Sequence, residues 1–212
     1  MKYMQSVLLA AAAAAACLAA AMPAKAASNT DPDWPCIQRK VPELSLGQFW
    51  TGEELPESAR GWSSDGDMTA LVRELSARRL PLEDAQREIR DYAADISPDQ
   101  LHDRMLTLVQ GLFDHMNMER SQIISGIGRY ARKQVELATA LRKESAELDA
   151  LHAKGDVEEA QLTRITDHLA FQTRIFEERV QSLTFVCEVP TLIEQRLYQL
   201  TKTISEVLAQ KE

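Results

Sequence analysis

From Asp67 onward, apolar residues recur every three or four positions, the spacing of an amphipathic α-helix. Met68, Leu71, Val72 and Leu75 open the pattern, with Glu74 and Arg78 as a supporting i,i+4 pair. Pro81 ends or bends this helix. A second short helix carries Leu82, Ala85, Ile89, Tyr92 and Ala93 and stops near Ile96. Ser97-Pro98-Asp99-Gln100 then reads as a capping box, with a serine N-cap, proline at the first helical position and glutamine at the third. No proline follows until Pro190, and Gly155-Asp156 is the one clear turn signal in residues 129–189. The pattern therefore predicts two long helices, roughly 98–153 and 157–187, and a final helix from about 190 to 210 with Pro190 in its first turn.

Folding the long helices antiparallel at Gly155 makes facing residue numbers sum to about 310. Both strands of that hairpin are then apolar. Ile193, Leu197, Leu200, Ile204 and Val207 hold a 4-3 spacing, the seam of a coiled coil. They face an equally apolar stretch near residues 103–117, so the last helix continues the return path after a bend at Pro190. The hairpin would be ~80 Å long at 1.5 Å per residue. The two short helices can cover only one end of it. The expected fold is all-α: a helical-bundle body from residues 67–125 and 185–210, and a coiled-coil-like hairpin arm, residues 130–180, projecting from it. Gln134, Glu144 and Gln172 interrupt the arm's seam and can fix its register.

Residues 27–66 break the pattern. Four prolines, four glycines and all three tryptophans, Trp34, Trp50 and Trp62, fall here, which excludes long elements. Tryptophan is costly to leave in water, so this irregular segment is expected to dock on the helical body with its aromatic residues buried. The other reading is an exposed aromatic ligand site. Gly126 and Gly128 sit inside a long helix, where each costs ~1 kcal/mol against alanine. The expectation is that the irregular segment crosses there, fastened by Cys36, with a hinge between body and arm as the alternative.

Ahead of all this, Met1-Lys2-Tyr3, an apolar run from Val7 to Met22 and the triplet Ala24-Lys25-Ala26 have the order of a secretory signal peptide, with cleavage expected after Ala26. The run is short for a membrane span. Cys17 inside it is an alternative lipidation site, but Ala14 stands where a lipobox has a larger aliphatic residue. Removing Lys2 and Lys25 with the leader leaves 22 basic against 32 acidic residues, a net charge of −10. That charge argues against nucleic acid and against an anionic membrane surface as partners. An exported chain of this class is expected in the periplasm, where Cys36 and Cys187 would pair. The bond would restrict the unfolded chain by roughly 4–5 kcal/mol.

Chemistry is sparse. There is no Gly-x-Ser-x-Gly, no His-Glu-x-x-His and no phosphate loop. Acidic pairs such as Glu158-Glu159 and Glu177-Glu178 read as solvated helix faces. The richest local run is Asp114 to Glu119, where His115 and Glu119 share a helix face and Met118 could suit copper. A metal site needs several converging ligands, and no second cluster meets this one in the expected register. No cofactor is expected.

The expected function is a non-catalytic periplasmic interaction protein, with adaptor or assembly-factor character. Its hairpin arm would bind another envelope protein or a second copy, and Leu141, Leu148, Leu162, Leu169 and Phe176 would carry the contact. Two alternatives come from other classes. One is a metal or small-molecule carrier around Asp114, His115, Met118 and Glu119; the other is a chaperone holding unfolded envelope proteins. No motif supports an enzyme.

Overall fold

The computed structural model describes residues 31, 33–155 and 157–210. The predicted signal segment 1–26, with Cys17 and the cleavage triplet, lies outside the described residues, as does Asp156 of the predicted turn.

Helix α1, Gly66–Ser76, starts where the carboxylate of Asp65 accepts the backbone N–H groups of Asp67 and Met68, both at 3.0 Å. It buries Met68, Val72 and Leu75 of the predicted apolar face, with Leu71 packed half-buried beside them. It ends before Arg78, so the predicted Glu74–Arg78 pair does not form within it. Arg78 reaches Glu119 instead, at 3.5 Å. Helix α2, Leu82–Asp95, follows Pro81 directly and buries Ala85, Ile89 and Ala93.

Helix α3, Pro98–Lys154, runs for 57 residues. Pro98 occupies its first turn, but the Ser97 side chain makes no capping bond, so the expected capping box is not formed. Gly155 closes the helix with φ at +68°, a left-handed conformation that glycine adopts without strain.

Helix α4, Glu159–Ala209, is a single helix of 51 residues with Pro190 buried inside it. The expected separate helix beginning near 190 is thus corrected. Proline removes one backbone hydrogen bond and crowds the preceding turn. Here Cys187 is fastened on one side and Ile193, fully buried, packs on the other, so tertiary contacts carry the helix through.

The pairing of α3 with α4 matches the predicted register closely. Gln134 donates to the Phe176 carbonyl at 3.4 Å, a pair whose numbers sum to 310. Arg120 and Glu194, 2.6 Å apart, lie only four residues beyond that sum. Among the described residues there is no strand.

The main core joins Met68, Val72 and Leu75 of α1, Ala85, Ile89 and Ala93 of α2, Leu101 to Met116 of α3 and Ile193 to Val207 of α4. The N-terminal segment is part of it. Trp50 is buried in this core, with Leu44, Leu46, Phe49 and Trp62 packed against it. Among the described residues of the segment, two short 3-10 helices, Leu46–Gln48 and Glu57–Ser64, are its regular structure. Each indole N–H is satisfied: Trp34 by the Gln38 carbonyl, Trp50 by the Glu53 carbonyl and Trp62 by the Asp114 carboxylate.

A smaller cluster holds Trp34, Cys36, Ile124, Ile127 and Cys187. Cys36 and Cys187 stand at disulfide distance, S–S 2.00 Å and Cα–Cα 5.6 Å. A Cβ on Gly128 would lie 3.8 Å from the Asp33 carbonyl, so the segment crosses α3 there as expected; Gly126 meets only Arg129 of its own helix.

Candidate functional site

The last buried residue of α3 is Gln134 and the first buried residue of α4 is Cys187. Among the described residues between them, none is buried. Leu141, Leu148, Leu162, Leu169 and Phe176, the residues expected to carry an interaction, are all half-buried. They lie along the seam where the two helices meet. Leu148, Leu151 and Ile165 line a shallow cavity there with Glu144 and His168, which pair at 3.5 Å. The seam consumes much of these side chains in the hairpin itself.

The free apolar surface is made by other residues. Phe171 is 51% exposed, Phe185 72% and Leu192 50%. Positions 171, 178, 185 and 192 are seven apart, and residues seven apart drift only about 20° around a straight helix. They therefore form a ladder along one face of α4, about 32 Å long at 1.5 Å per residue, interrupted by Glu178. Val186 is exposed about a quarter-turn away from it, Val180 is exposed on the far side of the helix, and Ile37 stands fully in solvent next to the disulfide. Arg174 covers one end, its guanidinium 5.6 Å from the Phe171 ring. The sequence reading missed this row because it followed the 4-3 seam. A seven-residue spacing of Phe and Leu on the opposite side was the available signal.

The metal-ligand candidates are dispersed. Asp114 accepts the Trp62 indole N–H at 3.0 Å and the Gln110 amide at 2.8 Å. Met118 is 54% exposed. Glu119 is paired with Arg78. His115 and Glu119 do share a shallow cavity, but its other lining groups are Arg73, Ser76, Ala77, Arg78 and Arg79. Guanidinium groups repel a cation. Among the described residues no group of three or more His, Cys, Asp or Glu could hold a metal ion.

Two buried arginines were also not singled out in the sequence. Arg120 lies on the buried row of Met116, Ile124, Ile127 and Ala131, where a charge among apolar positions was a legible signal. Its Nε donates to Glu194 and its Nη1 to the Val41 carbonyl, both at 2.6 Å. Arg196 donates to the carbonyls of Leu75 at 2.8 Å and Leu80 at 2.9 Å, bracketing the α1–α2 connection. Burial works against its charge, lowering its pKa.

Among the described residues, no helix is long and apolar enough to cross a membrane. No family model matches this chain, and neither a curated protein nor a solved structure matches it.

Proposed function

We propose that the chain is a non-catalytic interaction protein of the bacterial envelope, and that the outer face of α4 binds another protein. The observation that carries this reading is the exposed ladder of Phe171, Phe185 and Leu192 on a helix that is already paired along its other face. Large apolar side chains at helical spacing on a solvent-facing row are suited to receive a partner's helix or groove. The pairing of Cys36 with Cys187 fits an oxidising compartment such as the periplasm, which the signal-like segment also supports.

The test is a photo-activated cross-linker at Ala170, next to Phe171, activated in intact cells. A single dominant product that disappears in a Phe171→Ser/Phe185→Ser double variant is the expected result. A product with itself alone would make the surface a homodimer face. A broad smear of products would replace the adaptor reading with a chaperone. No product at all would remove the outer face of α4 as a binding surface.

A further inference from the structure

The cavity of about 460 Å³ at the α1–α2 connection has an unusual charge for an acidic chain. Arg73, Arg78 and Arg79 line it with His115, and Glu119 is its single carboxylate. The three guanidinium groups and one carboxylate leave a local charge of +2 in a chain whose net charge is −8. Arg73 lies in the last turn of α1, where a cation is favoured by the helix dipole in any case. Arg78 and Arg79 lie beyond that turn and have no such explanation.

A second observation points into the same place. Ser76 lines the cavity, is 3% exposed, and its hydroxyl has no hydrogen-bond partner. A buried hydroxyl left unpaired is costly, and this one lies in the cavity wall, just behind the surface that the arginines line. Arg196, 9% exposed, holds the connection from the inner side through the Leu75 and Leu80 carbonyls. It is a positioning residue that fixes the backbone on which Ser76, Arg78 and Arg79 stand. The one ion pair inside the cavity is loose: Arg78 and Glu119 are 3.5 Å apart, with side chains 44% and 31% exposed, so a better acceptor can displace it.

We infer that this cavity binds a phosphate group, held by the guanidinium groups of Arg73, Arg78 and Arg79. Guanidinium forks match phosphate oxygens in pairs, and a local charge of +2 matches a dianionic phosphomonoester better than a single carboxylate. The cavity is of small-molecule size, so the phosphate can belong to a soluble compound or to a lipid headgroup.

The full chain is titrated with sodium phosphate by calorimetry, at ionic strength held constant with sodium chloride. A second arm measures co-sedimentation with vesicles of phosphatidylcholine containing phosphatidic acid. The expected result is saturable phosphate binding with a Kd on the order of 1 mM. At about 20 mM phosphate the melting temperature should rise roughly 4–7 °C. An Arg78→Gln/Arg79→Gln variant should bind at least about tenfold more weakly. An Arg142→Gln/Lys143→Gln variant, with the same change of net charge on the arm, should bind as the parent does. Phosphate binding without vesicle binding would identify a soluble phosphorylated ligand, whereas vesicle binding lost in the Arg78/Arg79 variant would identify a headgroup. Absence of both, or binding equally weakened in the two double variants, would overturn the inference.

Discussion

Arg120 and Glu194 meet at 2.6 Å across the two long helices, and the same guanidinium reaches the Val41 carbonyl. One side chain, 4% exposed, thereby sets the register of α3 against α4 and seats the N-terminal segment on both. Around it, Ser121 donates to the Pro42 carbonyl and Leu44 donates to the Asn117 side chain.

Replacing Arg120 by methionine keeps much of the side-chain volume but leaves Glu194 and the Val41 carbonyl without their donor. We expect a loss of roughly 2–4 kcal/mol in urea unfolding. Glu194→Gln alone should cost less, because the amide oxygen can still accept from Arg120 and the site is 34% exposed on that side. Equal losses in the two variants would show that the carbonyl bond to Val41 contributes nothing.

Reduction of the Cys36–Cys187 bond frees a loop of 151 residues' separation. The chain-entropy model places the resulting destabilisation at about 5 kcal/mol. Denaturation with and without dithiothreitol, and of a Cys36→Ala/Cys187→Ala variant, measures it. An unchanged midpoint would mean that the Trp34–Ile127 cluster holds the segment without the bond.

Two helical glycines should respond to alanine in opposite directions. A Cβ on Gly111 would lie 2.7 Å from Cγ2 of Val72, a stiff β-branched side chain, and 3.2 Å from the Trp62 ring. Gly111→Ala is expected to destabilise by about 1–3 kcal/mol despite its better helix propensity. At Gly126 the nearest group is the flexible Arg129 terminus at 3.8 Å, so Gly126→Ala should stabilise by about 0.5–1 kcal/mol. Thermal unfolding of both variants checks the signs together.

Asp65 caps α1, and the Arg104 guanidinium bonded to it, with the Met68 and Asp67 amides, holds its pKa below the ordinary value. A carboxylate depressed in the folded state contributes stability above the unfolded pKa and loses it as pH falls through the folded one. The parent should therefore lose stability below about pH 4 more steeply than an Asp65→Asn variant does. Parallel acid titrations of thermal stability would show the two curves converging.

Excising residues 135–175 and joining the ends through a short turn preserves the Gln134–Phe176 pair at the new tip. Since no described residue in that span is buried, the body should keep its melting temperature within a few degrees. Cross-linking through a probe placed at Gln181 of the shortened chain, beside Phe185, should fall, because Phe171 is gone. Unfolding of the shortened chain would instead mean that the arm stabilises the body.

The helical content, the turn at Gly155 and the hairpin register were legible in the chain because each rests on local periodicity or on one residue's backbone freedom. Ile193, Leu197, Leu200, Ile204 and Val207 announced a buried seam by spacing alone, and all five are buried. The continuity of α4 through Pro190 was not legible, because proline's local cost is outweighed by contacts with residues far away in the chain. Nor was the gathering of Arg73, Arg78 and Arg79 with His115 about Ser76, which depends on how the α1–α2 connection lies over α3. The same holds for the outer ladder. Spacing marks Phe171, Phe185 and Leu192 as one row, but only packing decides which row of a long helix is covered and which faces water.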